Sequence, residues 1–403
     1  MLRVIFSASL VSYDLCIQVP EDTNTLSTCA RSLVALLSPK RERSEIKIQR
    51  SDDTVMPLHY AGLNPSSLYD GRCTIETFTE LPFEDVTDVH IDWNYLLLWR
   101  YTELWITGAI GKMIDHFSRD PMELKIPDSS AGRCLLATGG TESVTILTSN
   151  NDIWQYTLYE ETWRRIPRFI PGNDESAVEE IVKLEQGKGP VVALTNLGTE
   201  ILFNIPALVD MPRNVKFVDL ACGIEHTLML ADNGDVYSMG LGTRGQLGHG
   251  DLEDCDEPRL IEALAGLGVS QISASGWCSA VVTNEGDLYM WGWNNEGQMG
   301  LTEDHKVVAV PTFVDFKNGD GKILDLRIVK VQCTSSCIVC LTDGELWGCG
   351  SNKYGQLGQE TTKLSGTKTF VKMPIDLDGK CVKDIKCRAR GTLIVSSRND
   401  SGG

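Results

Sequence analysis

Positive charge is scarce in this chain of 403 residues. Lysine and arginine together number 37 against 55 aspartates and glutamates, which gives a formal net charge of −18 and an isoelectric point near 4.8. Binding to DNA or RNA depends on basic side chains that neutralise phosphates, so this balance disfavours direct nucleic-acid binding. A surface of this charge instead predicts a protein partner with a basic face and an association that weakens with salt.

Long apolar runs are also missing. No stretch approaches the roughly 18 apolar residues that a membrane-spanning helix needs. Residues 1–19 carry Arg3 before an apolar run, as a signal peptide does, but Asp14 interrupts the run and no small-x-small cleavage site ends it. The 13 cysteines are odd in number and fall on strand-like positions, which indicates free thiols in a reducing compartment. We expect a protein of the nucleus and cytoplasm.

Histidine is rare, with six residues. We expect His226 to bond its own turn, while His249 falls on a loop and His305 in an acidic insert. None has a neighbour in sequence that would complete an acid/base pair or a nucleophile and base. The sequence therefore predicts a protein that is not an enzyme and that needs no cofactor.

What the sequence does contain is a repeat in its second half. Three segments share an apolar strand followed by a loop that ends in Gly-Gln-(Leu or Met)-Gly: Asp235–Gly248, Asp287–Gly300 and Glu345–Gly358. Before each of them two alternating apolar runs meet at a tight-turn pair, such as Asn233-Gly234. Repeats of short antiparallel strands must stack around an axis, because one unit cannot bury its own faces.

These segments resemble the regulator-of-chromosome-condensation repeat, which builds seven-bladed β-propellers. The likeness is carried by Gly245-Gln-Leu-Gly-His-Gly-Asp251 and Trp291-Gly-Trp-Asn-Asn-Glu-Gly-Gln-Met-Gly300. Residues 215–300 are similar to those of a small member of the family that partners a JmjC-type 2-oxoglutarate oxygenase. The nucleosome-binding member has a basic N-terminal tail where this chain reads Met1-Leu-Arg-Val-Ile, so direct nucleosome binding is not expected.

The resemblance implies two functions. The first is a non-enzymatic scaffold or adaptor that binds a JmjC-type oxygenase, a histone demethylase or hydroxylase, in chromatin regulation and chromosome segregation, either as a plain partner or as its hydroxylation substrate. The second, carried over from the founding member, is a guanine nucleotide exchange factor for a small nuclear GTPase, or a component of a histone-associated complex. In either case we expect a monomer.

The repeat also predicts the fold: an all-β, seven-bladed propeller in a single domain, 1–403. The apolar pattern around His226 recurs seven times, with a mean spacing of about 49 residues, at Tyr95, Ser143, Pro190, His226, Cys278, Cys337 and Gly391. The last of these copies lacks its final strands. We expect Leu2–Ala8 to supply them, so that pairing of the N- and C-terminal strands closes the ring. Residues 20–85 are expected to form an irregular insertion or a decorated blade, with a short helix at Leu26–Leu37.

One segment also resembles a different propeller repeat. Gly139-Gly140, followed by Asp152–Tyr156 and Trp163, is typical of a kelch blade. Kelch repeats build propellers as well, so the predicted fold is the same under either interpretation.

Two motifs suggest other chemistry. Cys333, Cys337 and Cys340 have the C-x3-C-x2-C spacing that holds an iron–sulfur cluster in radical enzymes, although buried core thiols explain it more simply. Gly240–Gly245 satisfies the dinucleotide fingerprint G-x-G-x-x-G, but the Gln-Leu-Gly-His-Gly that follows cannot begin the required helix. The tryptophans of the repeats, and Trp93, Trp99 and Trp105, are expected to pack in the core.

For the partner-binding surface we choose two neighbouring repeat loops. The candidate residues are Arg244, His249, Trp293, Asn294 and Asn295. The alternative is that these residues only fasten adjacent blades, as most residues encoded by a repeat do.

Overall fold

The computed structural model describes residues 56–64, 73–92, 95–109, 117–166, 180–188, 191–195, 200–202, 207–209, 211–301, 305–377, 379–388 and 390–397. The chain divides into two units, residues 1–49 and 50–403, and all described residues belong to the second. They form seven four-stranded antiparallel sheets and one two-stranded sheet. The strand predicted at Leu2–Ala8 and the helix predicted at Leu26–Leu37 lie outside the described residues.

Three sheets come from the first half of the chain. Sheet 1 contains β3 (Asp88–Ile91), β4 (Tyr95–Arg100), β5 (Glu103–Ala109) and β6 (Phe117–Glu123). Sheet 2 contains β7 (Cys134–Gly139), β8 (Ser143–Thr148), β9 (Ile153–Thr157) and β10 (Thr162–Ile166). Sheet 3 contains β11 (Ile181–Gln186), β12 (Val191–Thr195), β13 (Glu200–Leu202) and β14 (Ala207–Leu208).

Three more sheets carry the repeats. Sheet 4 contains β15 (Phe217–Cys222), β16 (His226–Ala231), β17 (Val236–Gly240) and β18 (Cys255–Leu260). Sheet 5 contains β19 (Val269–Ser275), β20 (Cys278–Thr283), β21 (Leu288–Trp293) and β22 (Val307–Phe313). Sheet 6 contains β25 (Lys330–Cys333), β26 (Cys337–Leu341), β27 (Leu346–Ser351) and β28 (Gly366–Lys372). The remaining small elements are β23 (Phe316–Lys317), β24 (Ile323–Leu324) and two 3-10 turns, Ser129–Ala131 and Glu262–Leu264.

Sheet 7 joins distant parts of the chain. Its strand order is β2 (Thr74–Glu80), β1 (Leu58–Leu63), β30 (Gly391–Ser396) and β29 (Val382–Arg388). Strand β1 pairs antiparallel with β30, with Leu58 opposite Val395 and Gly62 opposite Gly391. The strand beside β30 is therefore β1 and not Leu2–Ala8, which corrects the expectation. Strands β1 and β2 fall within residues 20–85, for which an irregular insertion or a decorated blade was expected, and they belong to a four-stranded sheet.

The positions chosen from the repeat pattern are confirmed as strand starts. Each is the first residue of the second strand in a four-stranded sheet, except in sheet 3, where that strand begins at Val191, one residue after the predicted Pro190. These second strands are buried on both faces because a neighbouring sheet covers each side, as the wholly buried β8, β16, β20 and β30 illustrate. This explains why they appear in the sequence as largely apolar runs.

The core lies between neighbouring sheets. Leu58 and Val395 of sheet 7 pack with Val89 and Leu98 of sheet 1 in one apolar cluster. The first strands contact one another in the order β3, β7, β11, β15, β19, β25 and β29, and β29 in turn contacts β3. These strands, or the residues directly after them, line one cavity, which we call the central cavity. This all-β arrangement, almost without helix, is a β-propeller.

Candidate functional site

The loops of interest lie at one end of the propeller. Because successive strands in a sheet are antiparallel, the turn after each first strand and the loop after each third strand meet at the same end. We call this end the loop face. It carries the turns at 223–225, 276–277 and 334–336 and the longer loops 241–254 and 352–365.

The glutamine of each Gly-Gln-(Leu or Met)-Gly segment folds its loop. Gln246 Oε1 accepts a hydrogen bond from the Arg244 amide at 2.8 Å, and Gln298 and Gln356 do the same for Glu296 and Tyr354 at 3.0 and 2.9 Å. The Gln246 carbonyl accepts from Ser279 Oγ and Trp291 Nε1 of the next sheet, at 2.9 and 2.8 Å. This segment therefore fastens one sheet to the next.

The segment Gly240–Gly245, which matches the dinucleotide fingerprint, belongs to the same loop. A Cβ at Gly242 would lie 1.8 Å from the Glu253 carbonyl oxygen, so the backbone itself requires glycine there. No helix follows the segment, which continues as a turn into the loop. The glycines therefore serve the geometry of the loop, and a phosphate has no helix N-terminus to bind.

Two of the predicted partner-binding residues hold their own loops. Asn294 is buried: its Nδ2 donates to the His305 carbonyl at 3.0 Å, and its Oδ1 accepts from the Met299 amide at 3.1 Å. His249 Nε2 lies 3.0 Å from Ser238 Oγ. Burial, together with the nearby Arg259, lowers the pKa of His249. Both side chains therefore make hydrogen bonds within the propeller.

Arg244 and Trp293 form a surface cluster together with a residue that the sequence did not single out as a candidate. The Arg244 guanidinium lies 4.5 Å from the centroid of Trp293 and 5.8 Å from that of Trp277, on the turn between β19 and β20. Arg244 is exposed and both rings are half-buried. Asn295, also exposed, lies two residues beyond Trp293, and its Nδ2 lies 3.5 Å from Glu296 Oε1. Trp277 was assigned to the core, but its place on a turn rather than on a strand was a signal for surface exposure.

A related pair occurs two sheets away. The Arg390 guanidinium lies 4.6 Å from the centroid of Tyr354 and donates to its hydroxyl. In the aligned repeats, Tyr354 corresponds to Arg244 and Arg390 corresponds to Trp277. The cation and the aromatic ring have therefore exchanged positions. Between the two pairs, Lys353 contacts Glu296 at 3.3 Å. A cation–π contact at an exposed site contributes about 0.5–1 kcal/mol, so these pairs hold side chains in position more than they stabilise the fold.

Beside this cluster the loop face is strongly acidic. Five carboxylates within residues 251–257 are exposed, and Leu252 among them is 48% exposed. Arg259 meets one of them, Asp251, at 3.5 Å. The face therefore places a fixed arginine and two indole rings next to a concentration of negative charge.

The three cysteines of the C-x3-C-x2-C motif do not converge. Cys333 and Cys340 pack in one apolar cluster and Cys337 in the next. Burial raises the pKa of Cys337 to about 12 and raises the pKa values of the other two thiols as well. Among the described residues no group of His, Cys, Asp and Glu is arranged to hold a metal ion. The described cysteines are free thiols, as the sequence indicated.

His226 reaches out of its own sheet. Its Nε2 lies 2.9 Å from Ser279 Oγ in sheet 5, so the expected bond from the side chain to its own turn is wrong. The Ser279 hydroxyl already donates to the Gln246 carbonyl, so Nε2 must carry the proton and donate. Burial lowers the pKa of His226 to about 3, and the ring is neutral.

The remaining tryptophans fall where packing expects them. Trp99 is buried and Trp105 is half-buried beneath Arg100, whose guanidinium lies 4.9 Å from its ring, whereas Trp93 lies outside the described residues. Trp163, of the kelch-like segment, packs against Tyr156 in sheet 2, with the ring centroids 5.0 Å apart and the planes tilted by 49°. In the described part of the chain, no helix has both the length and the apolar character that crossing a bilayer requires.

Comparison with known proteins agrees with this geometry. The regulator of chromosome condensation (RCC1) repeat matches residues 233–282, 285–341 and 343–395, and a second form of the same repeat matches 217–246 and 269–298. RCC1 domain-containing protein 1 of Homo sapiens is 40% identical over 207 residues, which cover 43% of this chain and 55% of that protein. The human E3 ubiquitin-protein ligase HERC2 is 35% identical over 49% of this chain but only 4% of its own length. The chain thus spans about half, or much less, of these curated relatives.

Solved structures support the fold over a larger part of the chain. Human WBSCR16 superposes with a TM-score of 0.71 at 16% identity, covering 86% of this chain and all of that one. Prp20p of Saccharomyces cerevisiae gives the same TM-score at 14% identity and 86% coverage of this chain. At this identity the likeness concerns the fold alone. The chain is therefore a β-propeller protein that carries regulator of chromosome condensation (RCC1) repeats in its C-terminal half.

Proposed function

We propose that this protein is a non-catalytic adaptor whose loop face binds a protein partner. The partner is a JmjC-type 2-oxoglutarate oxygenase, and the complex acts in chromatin regulation and chromosome segregation, in the nucleus and cytoplasm. The observation that carries the proposal is the cluster of Arg244, Trp277 and Trp293. The protein acts as a monomer and contributes no cofactor of its own.

The cluster has the properties of a binding hot spot. Tryptophan, tyrosine and arginine dominate measured interface energies because they combine large contact areas with directional hydrogen bonds. Stacking on two rings fixes the Arg244 side chain before a partner arrives, so little rotamer entropy is lost on binding. Within the described residues its guanidinium makes no ion pair, which leaves its donors directed at a partner.

The acidic loop at 251–257 sets the charge of the partner. It favours a basic surface opposite it, in keeping with the net charge of −18. Exposed charges are screened by salt beyond about 8 Å at physiological ionic strength, so high salt should slow association.

We also propose that the seven sheets are the seven blades of a closed ring, which would hold the loop face rigid. Closure would be made by sheet 7 against sheet 1. Lys386 of β29 bonds the Asp88 carboxylate and donates to the Val89 carbonyl at 2.8 Å, and Arg388 Nε lies 3.4 Å from Asp92 Oδ2. The apolar cluster shared by these two sheets supports the same arrangement.

A second candidate function is nucleotide exchange on a small nuclear GTPase. It is favoured by the likeness to Prp20p, whose structure is described with its binding to Gsp1p and histones. An exchange factor needs no cofactor, only tighter binding to the nucleotide-free state of its partner.

The test is affinity capture from nuclear extract at low and high salt, followed by mass spectrometry. Wild type is compared with Arg244→Ala, Trp277→Ala and the control Arg164→Ala, an exposed arginine of sheet 2. An oxygenase retained by wild type and control but lost from both loop-face variants supports the proposal, and hydroxylated arginines on the bait identify it as a substrate. A GTPase enriched after nucleotide is stripped, with faster nucleotide release in the presence of this protein, supports the second function instead.

A further inference from the structure

The central cavity has a volume of about 710 Å³ and is lined by the first strands of the sheets or by the residues directly after them. Cavities of 300–1,000 Å³ are typical of small-molecule sites. The cavity is separate from the loop-face cluster, because none of Arg244, Trp277 and Trp293 lines it.

At the loop face, groups from different sheets approach one another across the cavity. Arg388, at the end of β29, donates through Nη2 to the Gln186 carbonyl on β11 of sheet 3, so its side chain crosses the cavity. Backbones also meet there: a Cβ at Gly187 would lie 1.8 Å from the Gly223 carbonyl oxygen. Asp92, which faces Arg388, has a side chain only 5% exposed. We therefore expect a ligand to enter from the opposite end.

At that opposite end, lysines bridge neighbouring sheets. Lys183 pairs with Asp219, Lys330 with Asp384, and Lys386 with Asp88. The side chains of Lys330 and Lys386 are 28% and 27% exposed, so this end is open to solvent.

One wall of the cavity has hydrogen-bond donors to spare. An ammonium group has three donors and a guanidinium five. Within the described residues, Lys330 bonds only Asp384, Lys386 bonds Asp88 and the Val89 carbonyl, and Arg388 contacts Gln186 and Asp92. The three cations lie on the adjacent strands β25 and β29. His90, on the neighbouring β3, has its pKa lowered by burial and then by Arg388 and Lys386, in keeping with a positive potential at this wall.

The facing wall carries little charge. Strands β15 and β19 contribute Ala221, Cys222, Ser273 and Ala274 to the lining, and their one charged lining residue, Asp219, pairs with Lys183. One side of the cavity therefore offers charged donors, and the other offers mostly uncharged side chains.

We propose that the central cavity binds a small organic anion, with a carboxylate or phosphate group against Lys330, Lys386 and Arg388 and its uncharged part against β15 and β19. Charge-assisted hydrogen bonds to an oxyanion are the strong ones, and here they would form in a partly enclosed site. The anion could be a free small molecule or a glutamate side chain that a partner inserts, and the experiment separates these two sources.

The experiment is isothermal titration calorimetry on the full chain with three probes: citrate, inorganic phosphate and the peptide acetyl-Gly-Glu-Gly-amide. We expect at least one of them to bind with one-to-one stoichiometry. Lys330→Gln and Lys386→Gln should each weaken binding about tenfold, the loss of one hydrogen bond to a charged group. Lys372→Gln, which removes the same charge from an exposed surface pair with Glu345, should leave it unchanged.

A second variant tests the site without disturbing the ion pairs between sheets. Gln332 lies on β25 between Lys330 and Cys387 and accepts from the Cys387 amide at 3.4 Å, a bond that a carboxylate can keep. Gln332→Glu should abolish anion binding by adding negative charge to the wall, with the urea midpoint unchanged. Binding of citrate or phosphate alone identifies a free anion, and binding of the peptide identifies an inserted side chain.

The proposal is overturned if none of the probes binds at millimolar concentration, or if Gln332→Glu binds as tightly as wild type. Loss of partner capture in the Arg244 variant with anion binding intact would concern the loop face alone, so the two proposals fail separately.

Discussion

Low pH should destabilise this protein through the imidazole of His226, which is buried and, in the described part of the chain, forms a hydrogen bond at only one of its two ring nitrogens. His226 donates from Nε2 to Ser279, and among the described residues its Nδ1 has no hydrogen-bond partner. Protonation would place a charge at Nδ1 in the contact between sheets 4 and 5. This is why burial lowers the pKa of His226 from 6.5 to about 3.

The sign and size of the effect follow from linkage. Between pH 6.5 and 3 the unfolded chain binds a proton at His226 that the folded chain does not, so stability falls as pH falls through this window. Each pKa unit corresponds to about 1.36 kcal/mol, so lowering the pH from 7 to 5 should remove about 2 kcal/mol of unfolding free energy through this residue. The loss should grow until the pH reaches the folded pKa.

The repeat itself suggests the matched variant. Cys278 and Cys337 occupy the position of His226 in the next two sheets, so His226→Cys is a substitution that the local fold accepts. At pH 7 it should cost about 1 kcal/mol for the lost bond to Ser279. Because the variant no longer titrates there, its deficit relative to wild type should disappear or reverse by pH 5.

The assay is urea unfolding followed by circular dichroism at pH 7 and pH 5 for both proteins. The reasoning is refuted if the difference in unfolding free energy is the same at both pH values. An NMR titration in which His226 titrates near pH 6.5 in the folded protein would refute it equally.

Three further outcomes are expected. Arg244→Ala should weaken partner binding by about 2 kcal/mol while changing the unfolding free energy by less than about 1 kcal/mol, so a large loss of stability with affinity retained would contradict the assigned role. Lys386→Met should lower the unfolding free energy by about 1–2 kcal/mol through the lost bonds to sheet 1, whereas Lys372→Met should change it by less than about 0.5 kcal/mol, and equal urea midpoints would count against the closing contact. In native protein, iodoacetamide should modify the exposed Cys73 and Cys381, while Cys333, Cys337 and Cys340, with pKa values raised by burial, should react only after unfolding; mass spectrometry of the labelled peptides distinguishes the two sets.

The second strands of the sheets could be predicted from the sequence because their signal is strong. They are buried on both faces, so burial favours a largely apolar run from Cys278 to Thr283 and at the equivalent places. The Gly-Gln-(Leu or Met)-Gly loops were equally recognisable, since backbone contacts between sheets restrict which residues fit.

Strands β1 and β2 could not be predicted, because they carry little apolar pattern of their own. Outer strand β2 alternates between buried Ile75 and exposed or half-exposed polar residues, and β1 includes His59 and Gly62. Their identity as strands depends on pairing with β30, far along the chain, and a local pattern does not contain that information.

The repeat indicated where the candidate surface lies, but not which of its residues are exposed. Arg244 and Trp293 stood out by spacing, whereas Asn294 looked equally exposed and is buried by the return of the chain at His305. Trp277 was missed because its contact with Arg244 crosses from one sheet to the next. Contacts between repeats depend on how the sheets stack, which the period alone does not give.

Sheet 7 has a consequence for biosynthesis. Ser396 donates to the carbonyl of Pro57, 339 positions earlier in the chain, so the strands made among the first in this domain find their partners among the last. At 5–20 residues per second, a ribosome needs on the order of half a minute to cover that distance. During this interval β1 presents an open edge, which chaperones must shield from pairing with other chains. A nonsense mutation that removes β29 and β30 would leave that edge permanently unpaired, so the loss of these two strands should lead to aggregation or degradation of the whole domain.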